Sequence, residues 1–82
     1  MQNQKFILSF NFLCSDGIII YKRKTYCTDL DSVIVSAIKF VKESGSKYGN
    51  CIYCDVVSKG VDIATIFFTK NNGRMSYEIR EY

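Results

Sequence analysis

Three short polar turns ending in glycine punctuate this chain: Ser15-Asp16-Gly17, Ser58-Lys59-Gly60 and Asn71-Asn72-Gly73. β-branched and aromatic runs flank each of them on both sides. Glycine supplies the positive φ that a tight reversal needs, so each turn predicts a β-hairpin. Asn72-Gly73 is the strongest two-residue signal of this kind. A chain of 82 residues that spends itself on three hairpins has room for one antiparallel sheet and little else.

The runs between the turns carry the period of a strand. Phe6, Leu8, Phe10 and Phe12 fall on one face of the segment Lys5 to Cys14, and Lys5, Ser9 and Asn11 on the other. Further strands are predicted over Ile18–Tyr26, Cys51–Val57, Val61–Thr69 and Arg74–Tyr82. One segment breaks the pattern. Thr28-Asp29-Leu30-Asp31 opens a helix, with Thr28 as its cap and two carboxylates at the positive end of the dipole. Leu30, Val33, Ile34, Ala37, Phe40 and Val41 recur at helical spacing, Lys39 and Lys42 close the last turns, and Gly45 is the stop. Ser44 to Asn50 reads as a polar loop. The order is ββαβββ: a single α+β domain over residues 1–82, an antiparallel sheet with one helix packed on one face.

Turn length sets register, and register sets which face each side chain occupies. A two-residue turn at Asn72-Gly73 pairs Phe68 with Tyr77 and Ile66 with Ile79. Three-residue loops at the two Ser-x-Gly turns would pair Phe12 with Ile20 and Cys54 with Ala64. Phe6, Leu8, Phe10, Phe12, Ile18, Ile20, Ile52, Val56, Ile66, Phe68, Tyr77 and Ile79 then face the helix. The second face collects Ile7, Ile19, Tyr21, Arg23, Tyr53, Val57, Ile63, Phe67, Arg80 and Tyr82. That face is too apolar and aromatic for ordinary solvation, and a helix of ~10 Å diameter covers only one side of a sheet. It is read as an interface, for a partner or for a homodimer.

Chemistry is harder to find. The chain has no His, which removes the commonest general base and the commonest metal ligand. No phosphate loop, nucleophile elbow or metal-binding helix occurs. Asp55 and Asp62 approach each other across the Ser58-Lys59-Gly60 hairpin but have no base beside them, so the chain is read as not an enzyme and as needing no cofactor. Cys14, Cys27, Cys51 and Cys54 follow no recognisable leader, and no apolar run is long enough to cross a membrane. Reduced thiols in a cytoplasmic protein are expected. Cys51-Ile-Tyr-Cys54 has zinc-like spacing. In a regular strand residues three apart face opposite ways, so a buried small hydrophobe is the expectation for all four.

The formal charge of +3 resides wholly in residues 1–24, where Lys5, Lys22, Arg23 and Lys24 stand against Asp16 alone. Tyr21-Lys22-Arg23-Lys24-Thr25-Tyr26 interleaves aromatics with cations on a strand, a pattern that suits base stacking beside phosphate neutralisation. The candidate partner-binding residues are therefore Tyr21, Lys22, Arg23, Lys24, Tyr26, Tyr53, Phe67 and Arg80. In size, in its small α+β build and in its richness in Ile, Lys, Asn and Tyr, the chain resembles phage-encoded inhibitors of the anti-CRISPR and anti-defence kind. The resemblance is one of overall style and transfers no residue. It implies a non-enzymatic protein in the host cytoplasm that binds and blocks a host protein. The alternative is a small module for single-stranded nucleic acid built on strand 21–26.

Overall fold

The computed structural model describes residues 3–44 and 49–82. Strands β1 (Gln4–Cys14) and β2 (Gly17–Cys27) precede helix α1 (Leu30–Ser44), and β3 (Asn50–Ser58), β4 (Val61–Asn71) and β5 (Arg74–Glu81) follow it. All neighbouring strands run antiparallel, in the order β2-β1-β3-β4-β5. The architecture is thus the expected one: an open five-stranded sheet with a single helix packed on one face. The expected stop at Gly45 lies outside the described residues.

The helix begins one residue later than its cap was expected. The Ser32 backbone N–H donates to Asp29 Oδ1 at 2.8 Å, so Asp29 and not Thr28 is the N-cap. Val33, Ile34, Ala37, Ile38 and Val41 are buried on the face turned to the sheet. They meet Phe6, Leu8, Phe10 and Phe12 of β1, Cys54 and Val56 of β3, and Ala64, Ile66 and Phe68 of β4. β1, β3 and β4 are the middle strands, which is why their helix-side residues make the core.

Register differs from expectation at both Ser-x-Gly turns. Ser15-Asp16 is a two-residue turn closed by Cys14 and Gly17, so Phe12 lies opposite Ile19 rather than Ile20. That one-residue slip turns β2 over. Lys59 and Gly60 both take positive φ, as a two-residue turn of this hand requires, and Ile63 bulges out of the β3–β4 ladder. Cys54 consequently faces Ile66 and not Ala64, a shift of two that leaves the faces unchanged. A second bulge at Ile52, between β1 and β3, lets Cys51 and Cys54 pair with Phe12 and Phe10 on the same side. The opposite-face argument for these two thiols therefore fails. Asn72-Gly73 behaves as expected, with Phe68 opposite Tyr77 and Ile66 opposite Ile79.

Candidate interaction surface

Turning β2 over redistributes the basic hairpin. Tyr21 and Arg23 now lie on the helix side, where both are held by Phe40. The Tyr21 and Phe40 rings stack at 5.5 Å, and the Arg23 guanidinium sits 5.2 Å from the same ring. Phe10 completes the stack at 4.6 Å from Phe40. These two predicted site residues thus seal the margin between α1 and β2, and leave the open face.

What replaces them was assigned to the core by the register error. Ile18 and Ile20 point to the open face and are 57% and 58% exposed. Leu13, paired with Ile18, is exposed beside them. The signal in the sequence was the run Ile18-Ile19-Ile20, which is apolar on both faces and so betrays no register of its own.

The ladders order the rest of this face into rows. Ile20, Asn11, Tyr53, Phe67 and Glu78 form one row across all five strands. Lys22, Ser9, Asp55, Thr65 and Arg80 form the next, and Lys24, Ile7 and Val57 start a third. Tyr26 lies opposite Lys5 at the far end. Of the eight predicted residues the open face therefore gathers Lys22, Lys24, Tyr26, Tyr53, Phe67 and Arg80. Ile63 is not among its members, because its bulge packs it against the core.

Two polar residues in the middle of the face are buried. Asn11 is 3% exposed and Thr65 4%, although neither touches the helix side. Asn11 Nδ2 donates to the Ser9 carbonyl, and the Thr65 hydroxyl donates to Asp55 Oδ1 at 3.0 Å and accepts from the Tyr82 hydroxyl at 2.9 Å. Tyr82 is tied down again through its backbone N–H, which donates to the bulged Ile63 carbonyl. Tyr53 and Phe67 contact at 6.3 Å, and the Arg80 guanidinium lies 5.7 Å from the Phe67 ring. Built this way, the face carries apolar and aromatic side chains with cations at both margins.

Asp55 stands opposite Thr65 and Asp62 opposite Val57, so the two carboxylates are not a cross-strand pair. Among the described residues no cluster of His, Cys, Asp or Glu could hold a metal ion. All four cysteines are free, and only Cys54 is fully buried; Cys27 and Cys51 pack on the margin of the core, while Cys14 donates to the Gly17 carbonyl. Burial pushes the Cys51 thiol up to about 11 and Cys54 higher still, the latter helped by Cys51 and Asp55, so both are protonated at neutral pH. A small cleft between the helix end and the sheet is lined by Val41, Lys42, Cys51, Phe68 and Met75 and carries no acid–base set. Among the described residues no helix is long and apolar enough to span a membrane. The chain matches no known family model, no characterised protein and no solved structure.

Proposed function

We propose that this chain is a non-enzymatic binding protein that works by pressing its open sheet face onto a protein partner, as small phage-encoded inhibitors block host defence proteins. The observation that carries the reading is the exposure of Leu13, Ile18, Ile20 and Phe67 on one face, around the buried, hydrogen-bonded Asn11 and Thr65. Apolar side chains displayed in this way favour burial against a complementary surface. Tyr53, Phe67 and Arg80 are residue types that concentrate binding energy at interfaces.

The test is capture of partners from host lysate by wild type and by Phe67→Glu, with nuclease added. Wild type should retain one dominant protein after nuclease treatment, and Phe67→Glu should lose it while melting as a folded domain. Val35→Glu, on the outer side of the helix, should retain it.

A second reading is supported by Lys5, Lys22, Lys24 and Tyr26, which stand together at one end of the same face. Cations around an exposed ring suit a single-stranded nucleic acid. Its signature would be capture that nuclease abolishes, with binding that falls steeply with salt. The loss of Tyr21 and Arg23 to the helix side removes two of the groups that reading first relied on.

A further inference from the structure

Among the described residues, no strand pairs with the outer edge of β2. The strand runs for 11 residues without proline or bulge, and nearly all of it is exposed. The turn closed by Cys14 and Gly17 sets the ladder's alternation, so Ile18, Ile20, Lys22 and Lys24 direct their backbone N–H and C=O groups away from β1. Edges of this length normally pair with something or are blunted.

The side chains state what can lie there. On the open-face side the strand presents Lys22 and Lys24, which no carboxylate pairs among the described residues. The same side carries Ile18, Ile20 and Tyr26, and the helix side carries Ile19, Tyr21 and Arg23, the last two held against Phe40. An added strand therefore meets unpaired cations at Lys22 and Lys24 on the open-face side, with apolar groups at Ile18, Ile19, Ile20 and Tyr21 beside them. Neither edge of a second copy suits this. Full-length pairing of β2 with another β2 brings the cations together, and β5 carries Arg74 and Arg80 against Glu78 on the corresponding face. Like charges across a ladder are destabilising.

We propose that β2 receives, as a sixth strand, an extended segment of the partner protein that alternates acidic with apolar residues. This rests on the reading of the chain as a protein binder, but it places backbone pairing at the β2 edge, three strands from Phe67. Main-chain hydrogen bonds would supply affinity, and the alternation would supply selectivity.

The probe is a synthetic peptide of about ten residues alternating Glu with Val, titrated into the labelled protein with amide exchange as the readout. Exchange at the outward amides of Ile20, Lys22 and Lys24 should slow by about tenfold or more. The peptide with Lys in place of Glu should give no protection, nor should the Glu-Val peptide N-methylated at alternate residues. Lys22→Pro should keep the fold, since its N–H faces outward, and should lose the effect. Three results would overturn the proposal: equal protection by the Lys peptide, undiminished binding by the N-methylated peptide, or protection of these amides by raising protein concentration alone. Failure of Phe67→Glu to affect partner capture would count against the open face and not against this edge.

Discussion

Phe40 shows how one side chain decides where others go. It is only partly buried, yet it collects Phe10, Tyr21 and Arg23, and that contact keeps the flipped strand's aromatic and cation on the helix side. Gly49 decides by what it lacks. A Cβ there would stand 2.5 Å from the Leu13 carbonyl oxygen, and its φ is +101°. Gly49→Ala is therefore expected to destabilise by more than ~1 kcal/mol in urea melts, whereas Gly17→Ala meets only its unfavourable φ. The thiols give a prediction of opposite kind. The folded state holds Cys51 protonated up to about 11 against an ordinary value of 9.0, so the unfolded chain loses its proton first. Stability should fall as pH rises from about 9 toward 11, and Cys51→Ala should flatten that slope in a melt series.

At the scale of elements, the helix depends on Asp29. The Ser32 N–H holds its carboxyl below the ordinary 3.8, so its contribution is full above that value and is lost as pH falls through the folded one. Asp29→Ala should lower Tm at pH 7, and the gap to wild type should close in strongly acidic buffer. Strand existence, strand type and the helix were all readable from period and turn chemistry. Register was readable where the turn permits one answer, as at Asn72-Gly73. It was not readable at Ser15-Asp16-Gly17, because positive-φ glycine serves equally as the last residue of a longer loop or the first of a strand. Nor did alternation rescue it, since Ile18, Ile19 and Ile20 look alike from either side. The bulges at Ile52 and Ile63 were equally invisible: each packs an extra apolar residue that a regular strand would also carry.

For the whole molecule, one helix is spread over five strands, and the consequence is an uncovered face. Its apolar and aromatic character was legible in the sequence through Tyr53 and Phe67. Two of its exposed aliphatic members, Ile18 and Ile20, were not, because they depended on the register of β2. The proposed partner meets this face and not the outer helix surface. Methyl labelling of Ile, Leu and Val places reporters on both: Leu13, Ile18 and Ile20 on the open face, and Val35 on the helix. Added partner should shift or broaden the first three and leave Val35 unchanged. Perturbation of Val35 with Leu13, Ile18 and Ile20 untouched would contradict the account.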